Sequence, residues 1–217
     1  MKKAFTMLEL VFVKVVVGIL SYFVSTGFQR NPLREAADQL VSHIRYTQHL
    51  AIMDDKFDPN DPTWYRKRWQ VVFNSDANTY NLWAYTIFSD GNKNGNPNLT
   101  LNEVAINPTD PAKFLTGGYA GIILSDGVGA TQEMNLGRKY GITAIAFSAT
   151  CQFAGSQRVS FDYLGRPLKG APSGFGGIYQ ANRLMTQDCN ITLTNGVNNI
   201  VITVKPETGY TYISAQN

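Results

Sequence analysis

Twenty mostly apolar residues, Phe5 to Val24, follow directly behind Met1-Lys2-Lys3-Ala4. That is about the 20 residues a helix needs to cross roughly 30 Å of hydrocarbon. The two lysines are expected to stay cytoplasmic and the remainder of the chain to face outward. A secretory signal would end its apolar region in a small-x-small cleavage site, and no clean Ala-x-Ala follows here, so the segment is expected to be kept. Its unusual member is Glu9. A carboxylate in an apolar span costs roughly 2.5–3.5 kcal/mol on insertion scales, so such a group ordinarily has a partner and a function.

The rest of the 217-residue chain is 44% hydrophobic and 12% aromatic, with scattered Gly, Pro and Asn. Long helical patterns are rare after about residue 55, which favours a β-rich body. The formal charge of +3 is too small to specify a partner. The densest basic cluster, Arg66-Lys67-Arg68 between Tyr65 and Trp69, reads either as a binding patch or as the solvated start of a strand. There is no G-x-S-x-G elbow, H-E-x-x-H, P-loop or Rossmann fingerprint, and the chain is expected not to be an enzyme. Cys151 and Cys189 show no C-x-x-C spacing and no surrounding His/Cys ligand set. Whether they pair depends on the compartment.

Lys2-Lys3-Ala4 followed by Phe5-Thr6-Met7-Leu8-Glu9-Leu10 resembles the prepilin motif of type IV pilins and type II secretion pseudopilins. The resemblance implies cleavage by a prepilin peptidase between Ala4 and Phe5, methylation of the new amino group on Phe5, and Glu9 as the fifth residue of the mature chain. A negative charge there can pair with the N-terminal ammonium of a neighbouring subunit, setting the register between staggered helices. Ala4 stands where that family most often has Gly, and Lys14 where it has an aliphatic residue. Lys14 is offset from Glu9 by about 140° around a helix, which excludes an intrahelical pair.

After Asn31, a plausible N-cap, and Pro32 at a first helical position, apolar residues recur at Leu33, Ala36, Ala37, Leu40, Val41, Ile44 and Ala51. The run from Ala37 to Ile52 looks like the corresponding helix of FimT/GspH-type minor pilins and pseudopilins. His43 and His49, six positions apart, share no helical face. Strands are expected at Trp69–Phe73, Tyr80–Ile87, Ile142–Phe147, Arg158–Tyr163, Ile191–Thr194, Ile200–Val204 and Tyr210–Ile213. Two late segments, from Val159 to Pro167 with a Gly-Arg-Pro turn and from Ile200 to Tyr210 with a Thr-Gly turn, resemble the same subfamily. An outward-facing head would be oxidised, so a Cys151–Cys189 disulfide is expected.

The run Asp90-Gly91-Asn92-Lys93-Asn94-Gly95 reproduces the opening of a calcium loop, D-x-[DN]-x-[DN]-G. The closing Glu belongs at Leu101, whereas Glu103 stands two residues later. Two readings remain open: an irregular calcium site using Asp90, Asn92, Asn94, Asn96 and Glu103, or a polar Asn/Gly hairpin loop.

Together these readings predict an α+β, pilin-like fold with a long N-terminal helix, membrane-embedded in its first half, packed on an antiparallel β-rich head. The expected divisions are a leader at 1–4, a transmembrane and assembly helix at 5–24, an amphipathic stem at 25–54 and the head at 55–217. The implied function is that of a minor pilin or pseudopilin, a single-pass inner-membrane protein with a periplasmic head that later enters a pilus or pseudopilus. Its implied partners are the prepilin peptidase, an inner-membrane assembly platform and sister subunits. The alternative is a pilus-borne adhesion or DNA-binding subunit. DNA-binding members place arginines in the C-terminal tail, and Gly209 to Asn217 contains none, so weak nucleic-acid affinity is expected.

Overall fold

In this computed structural model residues 6–27 and 30–216 are described. The chain divides into two compact units, Met1–Asn31 and Pro32–Asn217. The first contains helix α1 (Met7–Gly27). Its described apolar side chains are exposed, Met7, Leu8 and Phe12 among them. Among the described residues no helix is long and apolar enough to cross a membrane.

The second unit is α+β. Helix α2 (Pro32–Met53) begins at the proline, and its stripe of Leu33, Ala36, Ala37, Leu40, Val41, Ile44 and Ala51 is buried as the spacing predicts. Thr47 belongs to the same buried face because its hydroxyl donates to the carbonyl of His43 one turn back, 2.8 Å away. The remaining elements are β1 (Trp69–Asn74), β2 (Ala84–Ser89), α3 (Leu136–Tyr140), β3 (Ala144–Phe147), β4 (Arg158–Phe161), β5 (Pro167–Lys169), β6 (Cys189–Thr194), β7 (Asn199–Val204) and β8 (Thr211–Gln216). They form two antiparallel four-stranded sheets, in the orders β2-β1-β4-β5 and β3-β6-β7-β8. α2 packs on strands of both, touching β1 and β4 of the first sheet and β6, β7 and β8 of the second. Edge-to-face contact of Phe73 with Phe147, at 5.3 Å between ring centroids, also joins the sheets.

Several boundaries differ from the sequence expectation. The second strand begins at Ala84 rather than Tyr80. A tight turn capped by Asp76 occupies Ala77–Thr79, and Tyr80 and Asn81 then take φ of 60° and 57°, turning the chain instead of extending it. The fourth strand stops at Phe161, because Asp162 folds its carboxylate onto the amides of Leu164 and Arg166. β5 and α3 carry too few residues to show a period. β5 opens with a proline and lies at a sheet edge, where a missing N–H is tolerated.

The segment between β2 and α3 folds back along the outer edge of β2. Ser89 donates to the carbonyl of Glu103, Ala105 to Ile87, Ile87 to Leu115 and Gly117 to Tyr85. This cover explains why all six residues of β2 are buried. Phe88, Val72 and Val104 form a small second core on that side.

Gln48 of α2 clamps the two late turns. Its Nε2 donates to the carbonyls of Gly165 (2.8 Å) and Thr208 (2.7 Å). A β-carbon on Gly209 would stand 2.4 Å from that Nε2 and 2.6 Å from the Gly165 oxygen, and the residue has φ +65°. Gly141, at φ +71° after α3, has nothing within 4 Å. The left-handed conformation alone costs a non-glycine residue roughly 1–2 kcal/mol. Urea denaturation should therefore find Gly141→Ala destabilised by about 1 kcal/mol and Gly209→Ala by at least about 3 kcal/mol once the clash is added. Equal losses would show that the Gln48 clamp does not constrain the turn.

Candidate functional site

Three groups of residues are candidates for function. Of the first, Ala4 and Phe5 lie outside the described residues. Glu9 sits in the first turn of α1, where its Oε2 accepts from the amide of Thr6 (2.9 Å) and from its hydroxyl (2.8 Å), while Thr6 Oγ1 accepts from the Glu9 amide (3.3 Å). This reciprocal pattern is a capping box. Its sequence signal is the Thr-x-x-Glu spacing of Thr6-Met7-Leu8-Glu9, which gives the Glu9 carboxylate a local role beside the cost of its charge in an apolar span. Lys14 lies further along α1 and is exposed.

Cys151 and Cys189 are fully buried and joined in a disulfide, with Cα atoms 5.0 Å apart and 38 positions of separation. The first follows β3 and the second opens β6, two neighbouring strands of one sheet, while the chain between them contributes β4 and β5 to the other sheet. In the chain-entropy model, closing such a loop contributes roughly 4 kcal/mol.

The third group surrounds the loop that leaves β2. Asp90 is fully buried and Glu103 is 3% exposed. They stand together because the loop pinches shut where Ser89 pairs with Glu103. Asp90 Oδ1 accepts from the Asn94 amide (3.0 Å), Oδ2 from the Gly95 amide (2.8 Å), and Glu103 Oε1 from the Asn92 amide (2.8 Å). Burial pushes both carboxyls above the usual carboxylate range, and for Glu103 the charge of Asp90 adds to the effect. Asn92, Asn94 and Asn96 lie on the exposed rim instead. Their Oδ1 atoms accept from the amides of Asn94 and Asn96 and from the Tyr119 hydroxyl, respectively. Of the five residues in the expected calcium set, the structure buries the two carboxylates near enough for the charge of Asp90 to act on Glu103, and leaves the three amides on the exposed rim. Among the described residues, no group of three or more His, Cys, Asp or Glu is gathered as a metal cluster.

The basic triplet turns inward. Arg66 Nε donates to the carbonyl of Phe175, Lys67 pairs with Asp61, and Arg68 is 5% exposed, donating to the carbonyl of Ile178 with its guanidinium over the Phe175 ring. Asp61 also takes Lys93, and the two lysines hold its carboxyl well below the usual range. These charges support the head internally.

The histidines separate as well, with His49 exposed and His43 mostly enclosed. Gln39 Nε2 donates to the Tyr85 hydroxyl (2.8 Å), leaving that hydroxyl's own proton for His43 Nδ1 (2.7 Å). Tyr140 in turn donates to Gln39 Oε1 (2.6 Å). His43 is thus a neutral acceptor at Nδ1. Beside this chain lies a groove of about 330 Å³ bordered by Ser42, Tyr46, Asn107, Thr131 and Glu133.

No family model, no curated protein and no solved structure matches the chain.

Burial depresses the pKa of His43 to about 4. Its folded value lies below its unfolded one, so between about pH 6.5 and 4 the unfolded chain takes up a proton that the folded chain refuses. Its stabilising contribution is present above pH 6.5 and is lost as pH falls, by about 1–3 kcal/mol in all. Denaturant titrations from pH 7 to 4.5 should show a steeper loss for the native chain than for His43→Gln. Parallel curves would exclude His43 as the source.

Proposed function

We propose that this protein is a structural subunit of a type IV pilus or type II secretion pseudopilus, a minor pilin or pseudopilin assembled through its N-terminal helix. The observation that carries the reading is the sequence Lys2-Lys3-Ala4-Phe5-Thr6-Met7-Leu8-Glu9 at the head of an exposed apolar helix. Five valines fall between Val11 and Val17. Such β-branched residues lose side-chain freedom in a helix. A helix becomes the required form where no water is present to satisfy the backbone. Its exposed apolar side chains fit lipid before assembly and the helices of sister subunits afterwards.

In this reading the prepilin peptidase cuts before Phe5 and methylates it, the inner-membrane platform takes up the processed subunit, and the carboxylate of Glu9 exchanges its local partner Thr6 for a neighbour's N-terminal ammonium. The head is periplasmic until assembly, consistent with its disulfide. A DNA-binding or adhesion role on the same scaffold ranks second, since Arg66, Lys67 and Arg68 are engaged within the head.

Intact mass and N-terminal sequencing of protein from membranes, with and without a prepilin peptidase, test the reading. The expected product is a chain starting at N-methylated Phe5, formed only with the peptidase. A chain still beginning at Met1 in both would overturn it. Glu9→Leu should be processed normally yet enter filaments at least about tenfold less, as expected when an ion pair in apolar surroundings is lost.

A further inference from the structure

We propose that the neck of the loop between β2 and Glu103 binds one calcium-class divalent cation between the carboxylates of Asp90 and Glu103. This is independent of the filament reading and would hold in any protein carrying this head.

The first ground is an unanswered charge. Glu103 Oε2 is buried and has no hydrogen-bond partner, although the residue is 97% enclosed (3% exposed). Its sister oxygen accepts from the Asn92 amide, and a β-carbon on Gly91 would stand 3.2 Å from that same oxygen. The carboxylate therefore lies directly beneath the Asp90–Asn92 turn. A buried acceptor without a donor carries the full cost of desolvation.

The second ground is the local charge balance. Lys93, the loop's own cation, is directed away to Asp61 and Thr63. Arg158 donates to Gln70 Oε1 and to the carbonyl of Gly95 rather than to either carboxylate, and its charge acts on Asp90. The neighbouring charge acting on Glu103 is the like charge of Asp90. Two carboxylates face one guanidinium, so the neck is anionic when both are ionised. A bound cation or a shared proton would relieve it.

Donor chemistry selects the cation. The donors at the neck and on the rim are oxygens, with no imidazole or thiolate among them, as a hard ion requires. Each rim amide oxygen, on Asn92, Asn94 and Asn96, accepts one hydrogen bond and keeps a second lone pair. The two-residue displacement of Glu103 from a regular loop gives an irregular cage. Calcium tolerates that, whereas magnesium demands near-octahedral geometry. With only two carboxylates, the dissociation constant should fall near 10⁻⁴–10⁻³ M, on the order found for extracellular calcium modules.

Calorimetric titration of the full-length protein in detergent with calcium chloride tests this. One saturable site is expected, with a higher melting temperature in calcium than in chelator. Magnesium should bind at least about tenfold more weakly, and both Glu103→Gln and Asp90→Asn should weaken calcium at least about tenfold. Absence of saturable uptake up to about 10 mM calcium, or unchanged affinity in both variants, would overturn the proposal and leave the shared proton. Should the variants fail to fold, terbium luminescence on the otherwise native chain decides. Tyr119, bonded to Asn96 on the rim, is placed to sensitise the ion. Emission that calcium displaces and that Tyr119→Leu dims supports this location; emission unchanged by Tyr119→Leu places the ion elsewhere and overturns it.

Discussion

The head depends on one buried helical stripe serving two sheets. The sheets share no ladder hydrogen bonds, and each is too small to bury its inner face alone. α2 supplies the missing layer to both, with small residues at Ala36, Ala37 and Ala51 permitting close approach and Leu33, Leu40 and Ile44 filling the space between. Its polar residues on that side are all answered: Thr47 by the helix itself, Gln39 by Tyr85 and Tyr140, Gln48 by two turn carbonyls, and Arg45 by the carbonyl of Thr211. The helix thus fixes how the sheets meet through apolar area, and holds the late turns through directed bonds.

How much of this could be read beforehand follows from the range of the forces involved. The stripe on α2 was legible because burial repeats with the helical period. β6 was legible because alternation repeats with the strand period, and β1 and β7 because they are short runs of β-branched and aromatic residues. The pairing of Cys151 with Cys189 was anticipated from compartment, while the position of that pair at the junction of two sheets was not. What escaped were features set by a few residues or by distant pairing. These include the five-residue α3, the proline-led β5 and the turn through Tyr80 and Asn81. The loop at Asp90 is the instructive case. Residue types named five oxygen donors, but Ser89–Glu103 pairing decides that two carboxylates are buried at the neck, while Asx turns hold Asn92 and Asn94 on the rim and the Tyr119 hydroxyl holds Asn96 there.

The two units of the chain place their apolar side chains differently. In the unit Pro32–Asn217 most large apolar side chains are gathered inside, and most charges are paired or placed at the surface, the buried carboxyls of Asp90 and Glu103 excepted. In α1 the described apolar side chains are exposed, and the first turn secures its amides with its own Thr6 and Glu9.

The disulfide has a covalent consequence. Residues 151 to 189 form a closed ring of chain, and that ring holds both strands that complete the first sheet. Its outward turn at Ala154 and Gly155 is exposed, the kind of site at which proteases cut. A single cut there opens the ring without releasing a fragment. The strands stay tethered from their C-terminal side through Cys189, and the nicked chain becomes two covalently separate pieces only when the bond is reduced.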